Sequence, residues 1–179
     1  MGSILLNVVA FVAAFAAMEW VAWAMHRYVM HGFLWSLHRS HHRPRTGIFE
    51  ANDLFGLVFA GLAIALFWLG AEPGLAPLWW AGAGVTLYGA AYALVHDGLV
   101  HRRWPMPANP RGGYFKRLIQ AHRLHHAVAE RDGAVSFGFL LPADPQRLAA
   151  TLKARRAGAS DGCAAPAAIT ATVSRMKSR

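Results

Sequence analysis

Three long apolar stretches constrain the fold of this chain more than any other feature of its sequence. They run over residues 4–25, 54–70 and 78–95, and Glu19 is the only charged residue within them. A helix of about 20 residues crosses the hydrocarbon core of a bilayer. The first stretch lacks the basic start and the small-residue cleavage site of a secretory signal peptide. We therefore predict three membrane-spanning helices.

The basic residues are distributed unevenly among the segments outside these stretches. Residues 26–53 hold four Lys and Arg, residues 96–179 hold the other fourteen, and the remaining two segments hold none. Three spans would place both basic segments on one side of the membrane, which the positive-inside rule identifies as the cytoplasm. A net charge of +9 could suggest nucleic-acid binding, but the apolar content and the placement of the charge indicate a membrane protein instead. The alternative is a soluble helical protein, but in such a protein the complete segregation of charge would be a coincidence.

All ten histidines fall in four short clusters that follow the first and third apolar stretches. Two clusters have the pattern H-x4-H and two have H-x2-H-H, and the second half of the chain repeats the order of the first. The three-span topology places every histidine on the cytoplasmic side, next to the membrane. They are His26, His31, His38, His41, His42, His96, His101, His122, His125 and His126.

The spacing within each cluster predicts which imidazoles share a helix face. Residues at i, i+3 and i+4 lie on one side of a helix, so residues 38–42 and 122–126, if helical, are each predicted to point three rings the same way. Pro44 is expected to end the first of these helices, and residues 114–129 are expected to form the second. In an H-x4-H pair the two residues are about 140° apart around an ideal helix. Such pairs either serve two ions or lie where the helix unwinds.

Ten clustered imidazoles predict a metal centre with nitrogen ligands. Neutral imidazole binds zinc, iron, copper and nickel, and four to six ligands per ion imply two ions. The single cysteine, Cys163, excludes a thiolate cluster and an intrachain disulfide. Metal-bound histidines usually donate their second N–H to a carboxylate or carbonyl. No catalytic residue is predicted beyond the ligands, and the acids that are candidates to orient them are Glu19, Glu50, Asp53, Asp97 and Glu130.

At these clusters the sequence resembles the bacterial β-carotene hydroxylases of the fatty acid hydroxylase superfamily, which are histidine-rich di-iron oxygenases of membranes. The resemblance runs from about Met18 to Leu152. The clusters alone would indicate a desaturase or a hydroxylase, and the residues between them narrow the resemblance to the carotenoid branch. Arg43 departs from the pattern, because many relatives carry an acid there. The matching stretches read "MHRYVMHG", "HRSHHRPRTGIFEANDL", "VHDGLVHRRWP", "RLIQAHRLHHAV" and "SFGFL".

The resemblance implies hydroxylation at C3 of the β-ionone ring, which converts β-carotene to β-cryptoxanthin and then to zeaxanthin. It implies two non-haem iron ions held by all ten histidines, O2 as co-substrate, and electrons from reduced ferredoxin and its reductase. The carotenoid substrate would enter from the bilayer, and membrane lipid is a further partner, whereas nucleic acid is not. The expected location is the bacterial inner membrane, with the histidines and the C-terminus in the cytoplasm.

We therefore expect an all-α protein, a bundle of three to four membrane helices with a cytoplasmic helical cap that holds a two-metal site. Residues 1–157 are expected to form this hydroxylase domain. Asp144 and Pro145 predict the start of a last helix that ends before Gly158. Residues 158–179, rich in small residues, are expected to form a mobile tail.

Two other functions stay open at this point. The same scaffold could act on a different lipid, such as a fatty acyl chain or a sterol. A metal transporter is the alternative from another class, but transport favours polar ligands inside the spans. Here the predicted spans contain Glu19 and no histidine, so the pattern favours an enzyme.

Overall fold

The regular elements of the described chain are all helical, as predicted. The structure is a computed structural model that describes residues 2–45, 47–106 and 110–163, with the backbone alone for 159–163. Two of the helices continue into π-helical segments, named π1 and π2 here. The elements are α1 (Gly2–Ala24), π1 (Met25–Phe33), α2 (Trp35–His38), α3 (Asp53–Gly70), α4 (Ala76–Tyr92), π2 (Ala93–Val100), α5 (Gly113–His126) and α6 (Pro145–Cys163).

Three helices are long and apolar enough to cross a membrane, which confirms the three predicted spans. They are Gly2–Phe33, Asp53–Gly70 and Ala76–Val100. Large apolar side chains such as Ile4, Val58 and Trp68 are exposed on them. Such a surface is unfavourable in water and is what helices that face lipid require. The chain is therefore an integral membrane helical bundle.

The third span occupies the middle of the bundle, and two glycines allow its close approach to both neighbours. Helix α4 packs against α1 on one side and α3 on the other. A Cβ atom at Gly82 would lie 3.2 Å from the carbonyl oxygen of Ala63 in α3, and one at Gly84 would lie 3.1 Å from the Cβ of Ala14 in α1. Small residues favour helix association in membranes because they let backbones approach closely.

The cap lies at the end of the bundle where α1 and α4 finish. Helix α5 packs against π2 and α6, and a small core that includes Leu118 and Phe139 lies beneath it. Helix α5 ends at His126, three residues before the predicted end. The segment from Ala127 to Asp144 is irregular.

The last helix starts as predicted and ends later than predicted. Pro145 is its first residue, and the Asp144 carboxylate accepts the backbone N–H of Gln146 at 3.0 Å. The helix continues past Gly158 to Cys163, because one glycine costs a helix only about 1 kcal/mol and neighbouring alanines favour it. Residues 164–179 lie outside the described residues, so the mobile tail stays a prediction.

Candidate metal centre

Both H-x4-H pairs lie where a membrane helix widens into a π-helical turn. The N–H of His101 donates to the carbonyl of His96 at 2.9 Å, and that of Leu34 donates to Val29 at 3.0 Å. These i→i+5 bonds bring residues five apart onto one side of the backbone. The ring centroids are 5.2 Å apart for His26 and His31, and 4.5 Å apart for His96 and His101. Each pair therefore faces a single cluster, and the altered winding explains its spacing.

The first cluster gathers five histidines, and one ring nitrogen from each lies within 4.8 Å of those of the others. The Nε2 atom of His125 lies 3.1 Å from that of His31 and 3.2 Å from that of His42. The Nε2 atoms of His42 and His38 are also 3.2 Å apart. His125 belongs to α5, whereas the other four ligand candidates precede α3. The full set is His26, His31, His38, His42 and His125.

The second cluster gathers His41, His96, His101 and His122, and again one ring nitrogen from each lies within 4.8 Å of those of the others. The Nε2 atoms of His41 and His96 are 3.2 Å apart, and those of His101 and His122 are 2.9 Å apart. His126 joins this cluster, because its Nε2 atom lies 2.9 Å from that of His122. The two clusters adjoin each other, with the stacked rings of His42 and His126 centred 4.5 Å apart.

The expectation that residues 122–126 point three rings at one site is wrong. His122 and His126 face the second cluster, and His125 faces the first. Successive residues of a helix are about 100° apart around its axis, so His125 and His126 diverge by that angle. Helix α5 lies between the two clusters and therefore contributes to both.

Residues 38–42 do not form the helix on which the same expectation depended. Helix α2 ends at His38, well before Pro44. Tighter i→i+3 turns follow, with the N–H of His41 donating to the carbonyl of His38 at 2.9 Å and that of His42 donating to Arg39 at 3.2 Å. His38 and His42 face the first cluster, whereas His41 faces the second.

The first cluster is oriented by neutral acceptors, most of them from one backbone segment. His38 donates its Nδ1–H to the amide oxygen of Asn52 at 2.7 Å. The other four histidines donate to carbonyl oxygens within residues 128–137, which we call the carbonyl segment. Its acceptors are Val128 for His42 (2.9 Å), Arg131 for His31 (2.7 Å), Val135 for His125 (2.9 Å) and Phe137 for His26 (3.0 Å).

Two histidines of the second cluster are oriented by carboxylates. His41 donates its Nδ1–H to Glu50 at 3.1 Å, and His96 donates to Asp97 at 2.7 Å. The hydrogen bond from His41 lowers the pKa of the Glu50 carboxyl group. These two acids contact histidines in the way the sequence suggested.

The other acids take different roles. Asp53 accepts two hydrogen bonds from Arg103, at 2.6 and 2.7 Å, and the same guanidinium lies 3.5 Å from Asp97. The hydrogen bonds to Asp53 raise the pKa of Arg103 further. Glu19 contacts Tyr88 and backbone amides rather than an imidazole, and Glu130 is exposed.

The protonation pattern of the rings fits a nitrogen-ligated cation. Carbonyl, amide and carboxylate oxygens only accept, so in the seven histidines whose Nδ1 atoms face one, the proton of the neutral ring lies on Nδ1 and a lone pair lies on Nε2. Burial lowers the pKa of His38 to about 2, that of His42 to about 4 and that of His101 to about 3. These rings are therefore neutral at pH 7, which is the form that binds a metal.

The spacing of the Nε2 atoms also fits bound ions. Lone pairs 3.1–3.2 Å apart, as on His31 and His125 or on His38 and His42, repel each other unless a cation lies between them. Ion–nitrogen bonds of about 2.0–2.1 Å place neighbouring ligand atoms about 3 Å apart. Among buried side-chain nitrogen and oxygen atoms of the described residues, Nε2 of His26 alone has no polar atom at hydrogen-bond distance. The donor set thus suits two ions that prefer nitrogen.

Three contributors to the site were missed by the sequence reasoning. Asn52 and Arg103 lie beside predicted site residues, but their identities alone do not mark them as partners of His38 and Asp53. The acceptors in the carbonyl segment are backbone oxygens, which every residue has, so the amino-acid sequence does not identify them. A search for orienting groups that considers acids alone cannot find them.

Aromatic side chains pack against the histidines, and a cavity opens beside them. Tyr92 stacks on His96 with ring centroids 4.4 Å apart, and Trp35 lies 5.1 Å from His31 and 5.3 Å from His42. A cavity of about 270 Å³ opens beside the second cluster. It is lined by His41, His42, Arg43, Val100, His101, His122, Arg123 and His126.

A membrane helical bundle with two adjoining histidine clusters at one end defines a class of membrane-bound metalloprotein. A family model described as "Fatty acid hydroxylase" matches residues 11–144, and the chain therefore belongs to the fatty acid hydroxylase family. This membership makes it a membrane oxidoreductase, as the resemblance implied.

Curated relatives within this family share a consistent name. A "Beta-carotene hydroxylase" of Pseudescherichia vulneris is 55% identical over 151 residues, covering 84% of this chain and 85% of the relative. A protein of the same name from Pantoea ananas is 55% identical over 80% of this chain and 83% of its own length. "Beta-carotene 3-hydroxylase 1, chloroplastic" of Arabidopsis thaliana is 44% identical over 73% of this chain and 42% of its own length. No solved structure matches this chain.

Proposed function

We propose that this chain hydroxylates the β-ionone ring of carotenoids at C3, with one iron ion in each histidine cluster. The proposed substrate class is supported by the 55% identity to bacterial β-carotene hydroxylases over at least four fifths of the chain. The position on the ring is supported by the name of the plant relative. The two-ion centre is supported by the geometry of the clusters.

The proposed reaction converts a ring C–H bond and O2 into C–OH and water, and it consumes two electrons and two protons. Bound iron supplies the reduction of O2 that this chemistry needs. Seven of the histidines hold their Nε2 atoms ready for the ions, because carbonyl, amide and carboxylate oxygens keep their Nδ1 protons in place. Burial of the rings limits the access of water to the site.

Selectivity for C3 has to come from positioning. The hydrogens at C4 are allylic and have the weaker C–H bond, so a less ordered site would oxidise C4. Rigid placement of the reacting carbon overcomes such a preference. Trp35 and Tyr92, which contact the histidines directly, are the side chains we assign to the wall that holds the ring.

The electron donor in this proposal is reduced ferredoxin, and we place its approach at the cavity beside the second cluster. Arg43 and Arg123 line that cavity and are exposed. An acidic donor is attracted by such a basic rim. The excess of Lys and Arg in the segments that carry the histidines supports a cytoplasmic cap on a bacterial inner membrane.

Replacing Arg43 and Arg123 together by glutamine is expected to raise the apparent KM for reduced ferredoxin and to weaken the dependence of the rate on salt. Charges on the rim of an interface act mainly on association. The measurement is steady-state turnover with purified ferredoxin and its reductase at several ionic strengths. The control replaces Lys116 and Lys153, which are exposed and do not line the cavity. Equal kinetics for both double variants would remove the rim from the donor surface.

Expression in a bacterium that accumulates β-carotene is expected to yield zeaxanthin, with β-cryptoxanthin as the intermediate. The measurement is chromatography of the extracted pigments with identification by mass. A His96→Ala variant present in the membrane at the same level is the control, and it should leave β-carotene unchanged.

The same experiment tests the alternative that the substrate is another lipid. The family description names fatty acid hydroxylases, so fatty acyl and sterol products are analysed in the same extracts. Unchanged β-carotene from metal-loaded protein with donor present contradicts the carotenoid assignment. A hydroxylated fatty acyl chain or sterol in its place would establish the alternative.

A further inference from the structure

We infer that Glu19, a buried acid within the first membrane span, is a positioning residue that holds the carbonyl segment against the first metal cluster. The inference rests on the two-ion centre proposed above. Glu19 contacts no histidine in the described part of the chain, and it acts through the backbone that follows residues 128–137. Its side chain is buried, with 8% of the residue exposed.

The Glu19 carboxylate binds three consecutive backbone amides just after the carbonyl segment. Its Oε1 atom accepts the N–H of Phe139 at 2.8 Å and that of Leu141 at 3.1 Å. Its Oε2 atom accepts the N–H of Leu140 at 2.9 Å and the hydroxyl of Tyr88 at 2.7 Å. Each oxygen thus accepts two hydrogen bonds, the full lone-pair capacity of a carboxylate.

Residues 139–141, whose amides bind Glu19, adjoin the part of the carbonyl segment that orients the first cluster. Phe137 and Val135 supply the carbonyls that accept from His26 and His125. The Phe137 ring also packs against His26 and His125, with centroids 5.5 and 5.3 Å away. A shift of residues 139–141 therefore moves two orienting carbonyls and one packing ring together.

The segment needs such a clamp because its backbone is not regular. Ser136, between the two carbonyl-bearing residues, has a φ of +60°, a conformation that non-glycine residues rarely adopt. Such a conformation persists when surrounding contacts hold it. The middle of the segment is held from α6, where Arg155 donates to the carbonyls of Gly133 and Ala134 at 2.6 and 3.3 Å.

The second cluster does not depend on the segment in the same way. His41 and His96 are oriented by the carboxylates of Glu50 and Asp97. Phe139 packs edge-on against His96 with centroids 5.6 Å apart, but this contact supplies no hydrogen-bond acceptor. Loss of the Glu19 clamp is therefore expected to weaken the first ion and to leave the second nearly unchanged.

The experiment measures metal affinity at each cluster separately in the full-length, detergent-purified chain. A His101→Ala background retains the first cluster, and a His38→Ala background retains the second. Cobalt(II) is titrated in competition with a chelator and followed by its d–d absorption. Glu19→Gln is expected to weaken binding about 10–100-fold in the first background, the range found when an orienting partner is removed, and less than about 3-fold in the second.

Matched variants separate positioning from loss of fold. Glu50→Gln is expected to show the reverse selectivity, because its partner His41 lies in the second cluster. Glu19→Asp keeps the charge but is one methylene too short to reach all three amides, so it is expected to weaken the first ion in the same direction. The Asp variant decides the question if the Gln variant does not accumulate.

The outcomes are distinct. Two ions in the parent chain with equal losses in both backgrounds, or with no loss in either, overturn the role of Glu19 and leave the proposed function intact. A parent chain that binds no cobalt or iron overturns the two-ion centre itself. A changed absorption spectrum confined to the first cluster supports the positioning role, which a general loss of stability would not produce.

Discussion

Replacing His125 by alanine is expected to remove the ion of the first cluster, although this histidine lies in the second half of the chain. Its Nε2 atom lies 3.1–3.2 Å from those of His31 and His42. Replacing His41, at the corresponding position of the first half, is expected to remove the ion of the second cluster. Each variant should retain one ion per chain after a chelator wash and lose hydroxylation by at least about 100-fold, since even an indirect partner of a ligand contributes 10–100-fold.

Double variants test whether each ion is bound by the histidines of one spatial cluster or by the histidines of one half of the chain. His125→Ala with His38→Ala should still retain one ion, because both residues belong to the first cluster. His125→Ala with His122→Ala should retain none. If each half of the chain built its own site, these two results would be exchanged. Gln120→Ala, an exposed change on the same helix, is the control and should retain both ions.

Replacing Gly84 by alanine is expected to lower the stability of the bundle by about 1–3 kcal/mol, the usual cost of overpacking. The added methyl group would overlap the carbonyl oxygen of Phe11 and lie 3.1 Å from Ala14 Cβ. One of these atoms belongs to the backbone of α1 and the other is a Cβ fixed to it, so neither can move aside as the end of a flexible side chain could. The helices have to separate instead. Thermal unfolding of the detergent-solubilised protein measures the effect.

Gly89 provides a matched control for this change. It lies on the same helix, and a Cβ atom there would meet nothing within 4 Å. Gly89→Ala is therefore expected to leave the unfolding temperature unchanged or to raise it slightly, because alanine favours a helix over glycine. Equal unfolding temperatures for the two variants would contradict the close packing of α1 and α4.

Much of the architecture follows from local properties of the sequence. The three spans were predictable because the length and composition of an apolar stretch decide whether it can cross a bilayer. The start of α6 was predictable because Asp144 and Pro145 act on the residues next to them. The end of α6 was misplaced, because one glycine is too weak a signal to end a helix rich in alanine.

The orienting groups were predictable in part. Glu50 and Asp97 were found because they are acids close in sequence to a cluster, and both contact a histidine. Glu19 and Asp53 met the same criterion and bind elsewhere, one to backbone amides and the other to Arg103. Proximity in sequence does not say which way a side chain points once helices pack.

The sequence by itself determined that this chain has helices able to span a membrane and histidines suited to a nitrogen-ligated metal site, because both follow from the kinds of residues present and their spacing. The tertiary structure alone decided how ten histidines divide between two clusters. His41 and His125 each cross to the cluster of the opposite half, since α5 lies between the clusters and the 38–42 turn is not a regular helix. That division depends on the packing of distant segments, which a repeated pattern along the chain does not encode.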